Sequence, residues 1–163
     1  MRILGIDPGL THTGWGVVDY NNNHIRFVAC GRISSDSKTD MHLRLKNISE
    51  ELVKVINLYS PDSCAIEETF VNKNPESSLK LGHARGAAML TVSLAGLEPC
   101  SYAATLVKKT VVGAGRADKN QIAVMVKQLL PNATITSEDA ADALAIAICH
   151  SQHYNLKKIL EEA

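Results

Sequence analysis

The sequence predicts an α/β domain: a mixed five-stranded sheet of three antiparallel and two parallel strands, with helices on both faces. Three observations carry this. The first third of the chain reads as strands joined by connections too short for crossovers, helical and strand-like patterns alternate afterwards, and two separate apolar runs end in an acid, at Asp7 and at Glu67.

Element by element, residues 2–7 form the first strand, an apolar run that delivers Asp7 into Pro8-Gly9 and the polar stretch Thr11-His12-Thr13-Gly14. Residues 14–20 and 24–33 follow as strands around the turn Asn21-Asn22-Asn23, giving an antiparallel meander. After the polar loop Ser34–Asp40, Leu43, Leu45, Ile48, Leu52, Val55, Ile56 and Tyr59 keep a largely helical spacing that stops before Pro61. Ser63–Glu67 is a short apolar run after a helix, hence a strand parallel to the first, and a right-handed crossover places it beside that strand. A second helix runs from Ser77, as N-cap, to Ala95, and Pro99–Ala103 supplies a fifth strand. The basic, glycine-containing stretch Lys108–Arg116 then leads to a helix capped by Asp118, with Gln121 in the capping-box position and Pro131 beyond its end. A last long, Ala-rich helix starts near Thr136–Ser137, where Thr136 and Asp139 fit a capping box, and residues 156–162 extend it.

The chain of 163 residues, 45% hydrophobic, is the size of one domain, read as residues 1–163. No apolar stretch is long enough to span a membrane and no signal-peptide pattern opens the chain, so a cytoplasmic protein with no membrane partner is expected. Cys30, Cys64, Cys100 and Cys149 are widely spaced, make no C-x-x-C pair, and read as reduced core thiols. The net charge of zero hides a split: Val71–Lys127 holds eight basic and three acidic residues, net +5, leaving −5 elsewhere. A polyanion therefore has a face to bind.

The acids form a pattern. Asp7 and Glu67 end adjacent strands, and Asp139 and Asp142, spaced i and i+3, share a face of the last helix. Asp139 alone is explained as a helix-start acid, but Asp142 lies among alanines and aliphatics where a carboxylate is costly unless a cation meets it. Carboxylate oxygens are the hard donors that Mg²⁺, or Mn²⁺ in its place, prefers. Two such ions per site would relieve the repulsion among four acids and clamp both oxygens of an in-line phosphodiester cleavage.

The strings GIDPGLTHTGWGVV (5–18), AIEETFVNKN (65–74), SLKLGHARG (78–86), VKKTVVGAGRADKNQ (107–121) and DAADALAIAICH (139–150) together resemble the RuvC Holliday-junction resolvases over about 150 residues, in the family's order. The resemblance implies an RNase H-like fold, a homodimer, and Mg²⁺-dependent paired nicking of four-way junction DNA in recombination and repair, alongside the branch-migration proteins RuvA and RuvB. It carries the four catalytic, metal-binding carboxylates onto Asp7, Glu67, Asp139 and Asp142, matches Lys108 and Lys119 to lysines beside the active site, and matches Phe70 to an aromatic near the junction centre. Lys80, Arg85, Lys109 and Arg116 are candidate phosphate contacts in the same basic segment. Glu68 adjoins Glu67, but successive strand residues face opposite sides, and the resemblance selects Glu67. Glu138 reads as a helix-start acid, His150 and His153 as polar residues of the terminal helix, and His12 and Thr13 take no role.

Gly82, Ala84, Gly86, Ala87 and Ala88 give the second helix a small-residue face that suits either a dimer contact or burial on its own sheet. Two other function classes stay open. Gly5–Gly9 with the following hairpin resembles the first phosphate loop of the actin and sugar-kinase fold, and a non-catalytic junction-binding module would need no metal at all.

Overall fold

In a computed structural model, residues 1–69 and 73–161 are described, without the side chains of Lys119 and of residues 155–161. The elements are β1 (Arg2–Asp7), β2 (His12–Asn21), β3 (His24–Ser34), α1 (Met41–Tyr59), β4 (Ser63–Glu67), α2 (Pro75–Leu94), β5 (Pro99–Tyr102), α3 (Ala104–Val112), α4 (Lys119–Leu129) and α5 (Glu138–Glu161). The sheet order is β3-β2-β1-β4-β5, with β1–β2 and β2–β3 antiparallel and β1–β4 and β4–β5 parallel. At the β2–β3 turn Asn22 and Asn23 take φ of 47° and 64°, the left-handed pair that suits the twist of a tight hairpin.

Strand alternation sends Leu4, Ile6, Val17, Cys64 and Ile66 to a core under α1 and α2, and Ile3, Val18 and Ala65 to a core under α3, α4 and α5. The helix α5 lies directly on the sheet because β1 and β2 present glycine there. A Cβ on Gly5 would stand 2.1 Å from the Ala143 carbonyl oxygen, and one on Gly14 would stand 2.0 Å from that of Asp139. This close approach lowers the start of α5 to the level of the strand ends.

Strand β2 begins at His12 rather than residue 14, and the helix starts differ in detail from the sequence expectation. The N-cap of α2 is Asn74, not Ser77: its side chain accepts from the Glu76 and Ser77 amides, and Pro75 fills the first helical position, where a missing N–H costs nothing. The Lys108–Arg116 stretch is not irregular throughout, since its first half belongs to α3, which follows β5 directly and ends on Gly113 at φ 85°. That helix has no side-chain cap, so no start signal marks it. At α5 the Ser137 hydroxyl, rather than Thr136, accepts the amide of Ala140, at 3.1 Å. All four cysteines are free, but Cys100 is exposed and only Cys64 and Cys149 are buried.

His150 also departs from expectation. It is 2% exposed, and its ring bridges the Ser63 hydroxyl at 2.7 Å and the Tyr102 hydroxyl at 2.9 Å, joining β4, β5 and α5. Burial, assisted by His153, lowers its pKa to about 4. The folded value lies below the unfolded one, so the neutral ring's contribution is complete above about pH 6.5 and is lost as pH falls toward 4. Urea unfolding between pH 7 and 4.5 should therefore cost wild type up to about 2–3 kcal/mol more than His150→Gln, and parallel pH profiles would refute this.

Candidate active site

Asp7 leaves the buried β1 into a loop fixed from several sides. Thr13, fully buried, donates its hydroxyl to the Gly9 carbonyl at 2.7 Å and accepts the Gly9 amide, while buried Arg44 donates to the Ser35 and Thr11 hydroxyls. The sequence reading gave Thr13 no role, and its only signal was a polar residue where a strand resumes.

The β1–β4 register pairs Ile6 with Ile66, and one step further brings Asp7 opposite Glu67. Both side chains point to the α5 face, because their neighbours Ile6 and Ile66 belong to the opposite core. Asp142 enters from the second turn of α5. Asp7, Glu67, Asp142 and Lys108 line one cavity of about 290 Å³, closed by Ala104, Val107, Ile122 and Ala145. Burial first, then the negative charges of Glu67 and Asp142, a hydrogen bond with Glu67, and the charge of Asp139 push the Asp7 carboxyl up to about 8. Without a cation, burial and mutual repulsion make these coupled acids hold a proton more tightly than an isolated carboxyl does.

Asp139 lies at the rim, within reach of Asp7's charge, and pairs with Arg32 at 3.7 Å. Arg32 sits on β3 opposite Gly14 on β2, where the missing Cβ admits the Asp139 backbone and so brings its carboxylate within reach of Arg32. The sequence reading missed Arg32, whose one signal is its place across the hairpin from a glycine.

Among the described residues, no three His, Cys, Asp or Glu side chains stand already gathered as a metal cluster. The donor set nonetheless fits a divalent cation: carboxylate oxygens alone, in a cavity where burial and then like charges lift an acid far above its usual range.

The basic candidates separate. Lys108 is half-buried in the cavity wall, whereas Lys109 on α3 and Arg116 in the α3–α4 connection are exposed. Lys80 is exposed and paired with Glu76 at 2.7 Å. Arg85 is turned inward, to the Glu67 carbonyl and the Ser101 hydroxyl. Lys119 opens α4, its side chain outside the described residues, and Phe70 lies outside them altogether. Glu68 and Glu138 are exposed, and His12 meets Ser34 at the surface.

On α2 the small residues divide. Ala84 and Ala88 are buried under α1, while Gly82 and Gly86 face open space beside the exposed Leu79, Leu90 and Leu94.

Residues 3–150 match the family described as "Crossover junction endodeoxyribonuclease RuvC". The chain is 53% identical over 162 residues to the crossover junction endodeoxyribonuclease RuvC of Afipia carboxidovorans, covering 99% of this chain and 95% of that one. To the protein of the same name in Paramagnetospirillum magneticum it is 51% identical over 163 residues, covering 100% and 98%. Among solved structures, Thermus thermophilus RuvC in complex with a Holliday junction substrate superposes with a TM-score of 0.88 at 30% identity, over 96% of each chain. The yeast mitochondrial Holliday junction resolvase Ydc2, at 13% identity and a TM-score of 0.65 over 97% of this chain and 85% of that one, shares the fold.

Proposed function

The chain belongs to the RuvC family of crossover junction endodeoxyribonucleases, and from that membership we propose how its RNase H-like fold resolves Holliday junctions. One observation carries the reading: two strand ends, the start of α5 and Lys108 converge on one cavity in which Asp7 is held far from its ordinary titration range.

Asp7, Glu67, Asp139 and Asp142 are the metal ligands, for two Mg²⁺ ions with Mn²⁺ as substitute. When bound, such ions supply Lewis-acid activation of the phosphodiester and of its attacking water. The protein supplies the rest. The 8–11 loop, fixed by Thr13 and Arg44, and the glycine-seated α5 hold the carboxylates in place before DNA arrives, and the half-buried Lys108 sets a positive charge against the scissile phosphate. Lys119, the first residue of α4, serves beside the active site, Phe70 stacks on an unpaired base at the junction centre, and Lys80, Lys109 and Arg116 contact flanking phosphates.

The near two-fold junction calls for two nicks from two related sites, which a C₂ homodimer provides. Gly82, Gly86, Leu79 and Leu90 on the outer face of α2 form its interface. A single domain, residues 1–163, acts in the cytoplasm with RuvA and RuvB, and no described helix is long and apolar enough to cross a membrane.

A mobile four-way junction incubated with the protein and Mg²⁺ tests this. Symmetrically paired nicks with ligatable ends are expected on the junction and not on linear duplex. Nucleotide binding without nicking would replace it with the phosphate-loop reading, and metal-independent junction binding alone with the non-catalytic module.

A further inference from the structure

Arg85 lies in the basic segment, yet its guanidinium is committed to protein. Its Nε donates to the Glu67 carbonyl at 3.0 Å and its Nη2 to the Ser101 hydroxyl at 2.7 Å, so one side chain from α2 ties the ends of β4 and β5.

The ladder explains why a side chain is needed there. In a parallel sheet, alternate residues of a strand turn their backbone groups to alternate neighbours. The Glu68 amide bonds to the Tyr102 carbonyl on β5, so Glu67 turns toward β1. Extending the Ile6–Ile66 register past the end of β1, the backbone position in line to donate to the Glu67 carbonyl is residue 8. Residue 8 is proline, which has no N–H. Arg85 delivers a charge-assisted donor to the carbonyl that the proline cannot serve. It does so from the α2 side, opposite the face into which the Glu67 carboxylate points.

We propose that Arg85 is a positioning residue that replaces the donor lost at Pro8 and fixes the Glu67 carboxylate for metal binding, rather than a phosphate contact. The proposal rests on Glu67 being a metal ligand of the nuclease site. It assigns Pro8 and Arg85 as a matched pair: the proline shapes the turn after Asp7, and the arginine restores the strand end it leaves open.

Arg85→Ala, Arg85→Lys and Ser101→Ala separate the two roles by three measurements. These are junction affinity in EDTA across a salt series, single-turnover nicking against Mg²⁺ concentration, and calorimetric Mn²⁺ titration of the DNA-free protein. For Arg85→Ala, nicking and Mn²⁺ affinity should each fall about tenfold or more, with half-maximal Mg²⁺ moving upward. Junction affinity in EDTA should stay within about twofold of wild type, with an unchanged salt slope. Arg85→Lys should recover part of the loss, and Ser101→Ala should shift the metal requirement the same way by less.

Weaker binding in EDTA with a salt slope flatter by about 0.9, at an unchanged metal requirement, would make Arg85 a phosphate contact and overturn the proposal. Wild-type behaviour of Arg85→Ala would overturn it as well. If Arg85→Ala does not fold by circular dichroism, the other two variants decide, and an unshifted metal requirement in both overturns it. Failure of wild type to nick any junction would count against the nuclease reading. The Mn²⁺ titration would still judge Arg85, with equal affinity in wild type and variants, or none in wild type, refuting its role.

Discussion

Asp7→Asn is expected to lose junction nicking by more than about a hundredfold in Mg²⁺ while binding the junction as well as, or better than, wild type. The amide cannot ligate as a carboxylate does, and, like the protonated acid, it sets no negative charge beside the DNA phosphates. The same substitution should stabilise the protein kept free of divalent cations. The Asp7 pKa is raised in the fold to about 8, so its contribution to stability is present in full below the unfolded value near 3.8 and is lost as pH rises through about 8. Asparagine resembles the protonated acid at every pH. Urea unfolding in EDTA at pH 8.5 should show Asp7→Asn more stable by about 2 kcal/mol or more, with the gap closing toward pH 4. A variant that nicks normally, or that loses stability at high pH, would dissociate Asp7 from the acidic cluster.

Gly5→Ala is expected to cost at least about 4 kcal/mol and to leave little folded protein at 37 °C. The added methyl would stand 2.1 Å from the Ala143 carbonyl oxygen and 2.8 Å from the Ala147 amide nitrogen, both backbone atoms of a helix that cannot give way locally. Either α5 lifts from the sheet or β1 bows, and both separate Asp7 from Asp142. Gly86→Ala is the control. It lies inside a helix with nothing near its missing Cβ, and should raise monomer stability by up to about 1 kcal/mol. Equal thermal melts for the two variants would refute the close-packing account.

Much of this is legible in the chain because its strands alternate cleanly and two of them end in acids. Those acids, with Asp142 stranded among alanines, are enough to place a charged centre where the strand ends meet the last helix. The features that the sequence hides lack a local signature. Helix α3 starts without a cap, so only packing on α5 declares it. The Asn74-Pro75 pair marks the start of α2 in plain view, but a serine three residues later offers an equally ordinary cap. His150 resembles a surface residue near a chain end, and only the third dimension supplies Ser63 and Tyr102 as its partners. For Arg85 the composition of the surrounding segment suggests DNA, whereas the register of β1 against β4 turns it inward. Charge counts describe a surface; they do not say which cations reach it.

The seating of α5 also bears on when the site comes into being. The meander β1–β3 is complete by residue 34, and β4 and β5 by residue 102, yet one face of their sheet is covered chiefly by a helix that begins at residue 138. During synthesis, which runs at roughly 5–20 residues per second, Ile3, Val18 and Ala65 therefore wait without their cover while the rest of the chain is made. Asp139 and Asp142 arrive on the same helix that closes this core. On the proposed metal site, the emerging chain carries two of the four carboxylates until α5 docks, and the event that closes this core also completes the ligand set.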